Sequence, residues 1–187
     1  GAGKDYWYEI YGNVLYQNPA EALFQAEGNV AFYNNVLYNE FGNAVHIQPH
    51  NDIPRNISVF HNTIMAKGNG ILLRRGFSLE SFRQRIEANA IFAGTPLTGV
   101  EAGMNFVAAV PAAHTVLRRA FAPFPALDLS PRPNELVTGT SGKDWMERFG
   151  DAELDFEGRQ LGLGYYGAYA AAARWPLSSM WLRTRYH

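Results

Sequence analysis

The first half of the chain repeats one pattern of apolar and polar positions. Short runs of alternating apolar and polar residues are each followed by an asparagine and an apolar triplet. Such alternation is typical of strands with one buried face, and the Gly, Asn and Pro between the runs are typical of turns. No segment of this half shows a helical 3.6-residue period. The four copies are residues 8–16, 30–38, 57–65 and 84–92.

A second apolar pattern lies between these copies, at residues 22–25, 44–47, 70–73 and, more weakly, 96–99. Each period therefore holds three short strands separated by turns. The recurring asparagines lie 22, 27 and 27 residues apart. A period of this length predicts one rung of a coil, because a single rung cannot bury its apolar side and must stack on its neighbours.

The recurring asparagines also have a physical role. Asn tolerates the left-handed backbone conformation that a tight turn requires. Stacked Asn side chains can bond to one another's backbone and satisfy buried polar groups. We therefore expect a ladder at one corner of the coil, formed by Asn13, Asn35, Asn62 and Asn89.

This ladder and the strand blocks around it, over about residues 5–105, resemble the right-handed parallel β-helix of the pectate-lyase-like superfamily. The resemblance implies an all-β fold: a right-handed, single-stranded parallel β-helix of about four rungs over residues 1–106. It is similar to the C-terminal part of a bacterial β-helix repeat protein. Another β-solenoid or a β-sandwich is the alternative, but a sandwich would not explain one Asn recurring in the same local context. Unrelated activities share this fold, so it says little about function.

The repeat stops at about Val107, and residues 107–187 are expected to form a loop and helix cap. Residues 111–121 read as a short helix with Pro at its first turn. An Asp-x-x-Gly-Arg element at 155–159, followed by Gly-Ala-Tyr at 167–169, resembles the closing segment of bacterial β-helix proteins. A coil needs such a cover because its end is apolar. The start has no comparable cover, so we expect further N-terminal rungs, another chain or a second copy at that end.

Composition narrows the range of partners. The chain has 187 residues, of which 47% are hydrophobic, and a formal net charge of −1. The balance of charges argues against a dedicated nucleic-acid binder, which normally shows a basic excess. No apolar stretch is long enough to span a membrane. Cysteine is absent, which excludes disulfides, thiolate metal sites and a cysteine nucleophile. We expect no cofactor, and the resemblance alone implies a secreted or periplasmic location.

The candidate site lies on the strands that follow the long turn, where substrates lie in the resembling family. Alternation places Val45 and Ile47 inward and His46 and Gln48 outward. In the expected register Phe24 and Leu72 flank His46, and Gln25 falls at an inward position. The extra residues of the longer periods form loops beside this surface, where function concentrates. The predicted site comprises His46 and Arg74 as catalytic residues, and Gln48, His50, Asn51, Asp52 and Arg75 as substrate-binding residues.

Two functions fit this cluster. In the first, the chain is part of a carbohydrate-active protein, and the most specific form of this hypothesis is a lyase that acts on an acidic polysaccharide. Arg74 and Gln48 would stabilise the sugar carboxylate while His46 removes a proton. The second is a non-catalytic subunit for sugar binding or structural assembly. In that case His46 is a solvated hydrogen-bonding residue, and Arg74 and Arg75 form ion pairs with Glu27, Asp52 or Glu80. A metal site at His46, His50 and Asp52 is a weak signal, and no metal is predicted. His61, which precedes its ladder Asn, is expected to be structural or to lie at the surface.

Overall fold

The chain winds into a parallel β-solenoid of about three turns. The computed structural model describes residues 5–74, 82–138, 144–160 and 164–173. The predicted all-β parallel β-helix is confirmed, with about three turns where the sequence suggested about four rungs. A 3-10 turn, Val110–Ala112, and helix α1, Ala113–Val116, follow the coil. The strands are β1 Trp7–Tyr11, β2 Val14–Tyr16, β3 Phe24–Ala26, β4 Gly28–Tyr33, β5 Val36–Asn39, β6 Val45–Ile47, β7 Pro54–Phe60, β8 Thr63–Leu73, β9 Gln84–Glu87, β10 Ala90–Thr98, β11 Phe106–Ala108, β12 Leu117–Arg119 and β13 Asp128–Pro131.

Parallel strand pairing gives the coil three faces. Face one contains β1, β4, β7 and β9, in that order. Face two contains β2, β5, the first halves of β8 and β10, and β11. Face three contains β3, β6 and the second halves of β8 and β10. Each face continues from rung to rung, which is the stacking that the repeat predicted.

Strands β8 and β10 run unbroken round the corner between faces two and three, where the sequence predicted two separate strands. Glycine lies at this corner in both rungs. A Cβ atom on Gly68 would collide with the Asn43 side chain, and one on Gly94 would collide with the backbone of Lys67. Because glycine lets neighbouring backbones approach closely, the ladder of hydrogen bonds continues through the bend.

The interior of the coil is filled by the inward residues of all three faces. Alternation along each strand places every second side chain inside. Phe24 and Phe32 stack there with ring centroids 4.1 Å apart, which joins face three to face one. Fully buried members of this core include Phe32, Leu37, Val45, Ile47, Ile57, Val59, Ile64, Ile71 and Ile91.

The predicted asparagine ladder is present at the corner between faces one and two. Asn35 donates its backbone N–H and its side-chain Nδ2 to Oδ1 of Asn62, both at 3.0 Å. Asn62 bonds in the same way to Asn89, and Asn13 to Asn35. The ladder has a fifth member that the sequence analysis missed, since Asn89 donates twice to Oδ1 of Asn105.

The left-handed turn residue at this corner is not the ladder asparagine, so the predicted role for its backbone was wrong. The positive φ angle belongs to the residue before it. A left-handed residue turns the chain, and the following Asn then has its side chain directed along the stack. The residues concerned are Gly12 (φ 67°), Asn34 (50°), His61 (51°) and Ala88 (57°).

The C-terminal segment covers two flanks of the coil. Phe149 and Met146 pack on face one, against the outward stack of Tyr33 and Phe60. On face two, Leu117 belongs to a cluster with the outward side chains of β5, β8 and β10. The sequence suggested a cover for the end of the coil. The flanks need one as well, because their outward side chains include large aromatic rings.

Hydrogen bonds fix this segment along the ladder corner. Asn34 Nδ2 donates to the carbonyl of Leu154 at 2.6 Å. One rung on, the N–H of Ala168 donates to Oγ1 of Thr63 at 2.9 Å. The segment therefore binds successive rungs and holds them together. The proposed boundary at residues 106 and 107 stays a prediction. Within the described residues, no helix is long and apolar enough to cross a membrane.

Candidate functional site

Face three carries the predicted site on its outward side. In the part of the chain that the structure describes, the hydrophobic clusters and hydrogen bonds of the C-terminal segment fall on faces one and two. Strand β6 shows the expected alternation, with Val45 and Ile47 buried and His46 half-buried between them. The described part of that segment thus leaves the outward polar side chains of face three uncovered.

The register of β3 differs by one residue from the prediction. Phe24 pairs with Val45, and Gln25 pairs with His46. Gln25 therefore points outward beside His46, and the predicted neighbour Phe24 lies inside against Phe32. The first copy of this strand has two apolar residues in succession, Leu23 and Phe24. The prediction took Leu23 as the inward residue, but the inward residue that pairs with Val45 is Phe24. The prediction that Leu72 flanks His46 is correct.

A second outward row follows at the ends of the strands. The N–H of Gln48 bonds to the carbonyl of Ala26 at 3.2 Å, and the N–H of Arg74 bonds to that of Ile47 at 2.8 Å. In parallel pairing these bonds place Glu27, Gln48 and Arg74 side by side. Face three thus presents Gln25 and His46 in one row and three longer polar or charged side chains in the next.

His46 is held in its neutral form. Partial burial lowers the pKa of its imidazole, the nearby Arg74 guanidinium lowers it further, and Glu21 acts in the opposite direction. Its Nε2 atom is buried and has no hydrogen-bond partner among the described residues. Close to neutral pH the imidazole is therefore uncharged, and its buried nitrogen is not open to a ligand without a change in the position of the ring.

Glu27 organises the loop that the sequence assigned to substrate binding. Its Oε2 accepts the backbone N–H groups of His50, at 2.8 Å, and Asn51, at 3.0 Å. Both His50 and Asn51 are exposed to solvent. Asp52 instead forms an ion pair with Arg55 at 2.6 Å and accepts the N–H of Ile53. Asp52 is thus engaged in the turn itself.

A groove of about 280 Å³ lies between β3, β6 and this loop. It is lined by Gln25, Ala26, Glu27, Gln48 and His50. The structure therefore brings His50 and Gln48 together in one concave site and adds Gln25 and Glu27 to it. Arg75, the remaining predicted member, lies outside the described residues. No group of three or more His, Asp or Glu side chains suited to a metal ion occurs within the described ranges.

Three polar residues of this surface were missed by the sequence analysis. Gln25 donates to Glu21 at 2.9 Å, so both belong to the surroundings of His46. Glu27 was considered only as an ion-pair partner for the arginines. Its place directly after β3, one period before Gln48, was the available signal, but the alignment of the first copy concealed it.

His61 is structural, as the sequence suggested. It is 5% exposed, its ring meets Phe60 edge-on, and it has a hydrogen bond with the backbone of Gly167 in the C-terminal segment. Burial lowers the pKa of its imidazole to about 4, and the bond to Gly167 acts weakly in the opposite direction. Asn34 has the equivalent position one rung earlier and also binds this segment, at Leu154.

We expect the free energy of unfolding to fall in mild acid because of His61. Because the folded pKa, about 4, lies below the unfolded value of 6.5, the unfolded chain binds a proton first as the pH falls. The stability is fully present above pH 6.5 and is lost progressively down to about pH 4. Between pH 7 and pH 5 the loss from this one group is about 2 kcal/mol.

Urea unfolding of the wild type and of His61→Asn at both pH values measures this effect. Asn suits the left-handed backbone at this position and does not titrate, as at Asn34. The variant should lose about 2 kcal/mol less than the wild type on acidification, since the other titrating groups are shared. Equal losses in the two proteins would show that His61 does not carry this pH dependence.

Comparison of the chain with protein-family models, with curated proteins and with solved structures gave no match. Strand pairing and the asparagine ladder identify the fold, and the geometry of face three indicates what this surface can bind.

Proposed function

We propose that this chain binds an acidic polysaccharide along the outward side of face three. The observation that carries the proposal is the register of β3, β6 and β8, which aligns Gln25 with His46 and Gln48 with Arg74. Neighbouring strands lie about 4.8 Å apart, so these rows offer hydrogen-bonding groups at regular short intervals. A polymer of hydroxyl-bearing units can use such a series of donors and acceptors.

The charged row favours an acidic sugar. Arg74 is exposed at the end of β8, and a guanidinium binds a carboxylate through two parallel hydrogen bonds. Glu27 has an acceptor oxygen already committed to the loop N–H groups of His50 and Asn51. Arg74 therefore supplies the anion contact, while Gln48 and Gln25 supply neutral contacts to hydroxyl groups. A secreted or periplasmic location belongs to this proposal.

A lyase reaction is the second candidate, favoured by the state of His46. Its lowered pKa keeps the imidazole in the base form. In a β-elimination the imidazole would take the proton next to the sugar carboxylate. The electron pair of that C–H bond forms a C=C bond, the neighbouring C–O bond breaks, and the leaving oxygen takes a proton from water. Arg74 would stabilise the charge that develops on the carboxylate.

Binding to a panel of uronate polymers tests the proposal. We expect Arg74→Gln to weaken binding at least tenfold, because a hydrogen bond to a charged group contributes about 1.5–3 kcal/mol. Arg119→Gln is the matched control, since Arg119 is an exposed arginine of β12 in the C-terminal segment. Isothermal titration calorimetry measures both. Unchanged affinity in Arg74→Gln, or no binding of any uronate polymer by the wild type, would disprove the proposed site.

The same polymers separate binding from catalysis. An unsaturated product absorbs in the ultraviolet, and we expect His46→Gln to abolish its appearance if elimination takes place. Binding without any such product would support the non-catalytic function and reject the lyase. Product formation that is unchanged in His46→Gln would show that the base lies elsewhere.

A further inference from the structure

The edge of the coil formed by β1, β2 and β3, here called the leading edge, has strand neighbours on one side only among the described residues. Strand β1 pairs with β4, β2 with β5 and β3 with β6. An edge strand presents a row of unpaired N–H and C=O groups that can template another strand. The leading edge therefore offers such a row on each of the three faces of the coil.

The asparagine ladder has a direction, and it ends here on an acceptor. Each ladder Asn donates its N–H and Nδ2 to Oδ1 of the Asn in the next rung. Asn13 gives its two donors to Asn35, so its own Oδ1 faces the position of a preceding rung. Among the described residues, the hydrogen bonds include no donor to this oxygen. Asn13 is exposed, whereas Asn35 and Asn62 are fully buried.

Two aromatic stacks end at the same edge. On face one, the ring of Tyr11 stacks on Tyr33 at 4.8 Å, and Tyr33 stacks on Phe60 at 4.7 Å. On face two, Tyr16 stacks on Tyr38 at 5.6 Å. Tyr11 and Tyr16 remain 40% and 39% exposed, although the rings behind them are buried. Tyr11 thus presents a ring surface on which another ring would fit, whereas Phe124 of the C-terminal segment already lies against Tyr16, with ring centroids 5.3 Å apart.

We propose that the leading edge binds a further polypeptide rung in parallel register, with the corner sequence aromatic–x–Asn–apolar–apolar–aromatic. The first two rungs of this chain have that sequence, at residues 11–16 and 33–38. The Asn of the incoming segment donates its N–H and Nδ2 to Oδ1 of Asn13. Its first aromatic side chain covers Tyr11, and its second packs on Tyr16 beside Phe124. A strand beside β3 also adds one residue to each outward row of face three.

The direction of the ladder argues against a second copy as the occupant. A head-to-tail copy would bring Asn105 to the leading edge, but its N–H and Nδ2 already donate to the carbonyls of Ala102 and Ile86. Two copies that meet through the same edge are related by a two-fold axis. Both would then present the Oδ1 acceptor of Asn13, and neither would supply the donors. Their strands would also run antiparallel, which would misalign the aromatic stacks. A segment that carries the donors and runs in parallel satisfies both features.

A synthetic peptide tests this inference on the full chain. The probe has the sequence of residues 28–39 with a fluorescent label, and its control replaces the residue that corresponds to Asn35 with Ala. We expect saturable binding of the probe in fluorescence anisotropy, at least tenfold weaker for the control peptide. Asn13→Ala should weaken probe binding by a similar factor. Asn134→Gly, at an exposed residue with φ 66°, should leave it unchanged.

Three outcomes overturn the inference. The first is no saturable binding of the probe to a chain whose circular dichroism shows it to be folded. The second is equal affinity for the probe and the alanine control, which would mean that the ladder does not select the partner. The third is a dimer in light scattering that Asn13→Ala abolishes and that excludes the probe, which would identify a second copy as the occupant.

Discussion

Replacing Asn62 with alanine should lower the free energy of unfolding by about 3–5 kcal/mol. Asn62 has no exposed surface and is the centre of the ladder. Its Nδ2 donates to the carbonyls of Phe32 and Phe60 at 2.9 and 3.0 Å, and its Oδ1 accepts both donors of Asn35. Alanine leaves all of these buried groups without their partner, and each unsatisfied group costs about 1–3 kcal/mol before relaxation.

Asn13→Ala is the matched control for this prediction. Asn13 makes the same two bonds to the next rung, but it is exposed, so water can replace the lost partner. We expect a loss of less than about 1 kcal/mol. Urea unfolding followed by circular dichroism measures both variants. If the two variants lost similar amounts of unfolding free energy, burial would not be the reason why the ladder stabilises the fold.

The second large effect is expected at Asp155, where alanine should cost about 3–5 kcal/mol. Its buried carboxylate accepts the backbone N–H groups of Glu157, Arg159 and Ala170 at 2.9–3.1 Å. It also forms an ion pair with the Arg159 guanidinium at 2.7 Å. Alanine leaves three backbone N–H groups without their acceptor, and it leaves the Arg159 guanidinium with only its longer ion pair to Glu157, at 3.4 Å. The hydrogen bond that connects residues 155–159 to residues 168–170, from the N–H of Ala170 to Asp155, is also lost.

Asp144→Ala, at an exposed carboxylate of the same segment, is the control and should change stability by less than about 0.5 kcal/mol. Hydrogen exchange gives a second readout. The N–H groups of Gly167 and Ala168 bond to the coil and should exchange faster in Asp155→Ala. Unchanged exchange there, with a stability like that of Asp144→Ala, would show that Asp155 does not hold the segment in place.

Features that are local and repeated along the chain could be predicted from the sequence. Every rung must place a polar side chain at the same buried corner, so Asn recurs with the same neighbours, and four ladder members could be identified. Asn105 follows Asn89 by only 16 residues because its rung lacks a third strand, so the period no longer revealed it. The residue before each ladder Asn varies among Gly, Asn, His and Ala, which concealed its left-handed conformation.

The candidate site was predicted in part for the same reason. Alternation in β6 correctly placed His46 outward, since neighbouring side chains of a strand point to opposite faces. Which residue of the next strand pairs with His46 depends on how many residues the turns between the rungs take up. The sequence of a single rung does not determine how many residues these turns contain. Gln25 and Glu27 therefore joined the site only once the register of β3 was known.

Repetition along the chain was enough to predict stacked strands with an asparagine ladder, because a periodic pattern of apolar and polar residues can be buried in few ways. The choice of the two flanks that the C-terminal segment covers became known only from the folded chain, and with it that the described part of this segment leaves the polar rows of face three uncovered. That segment has no repeat, and its position depends on single contacts across many residues, such as Asn34 with Leu154 and Thr63 with Ala168. Contacts of this kind depend on shape and distance, which the order of residues along the chain does not display.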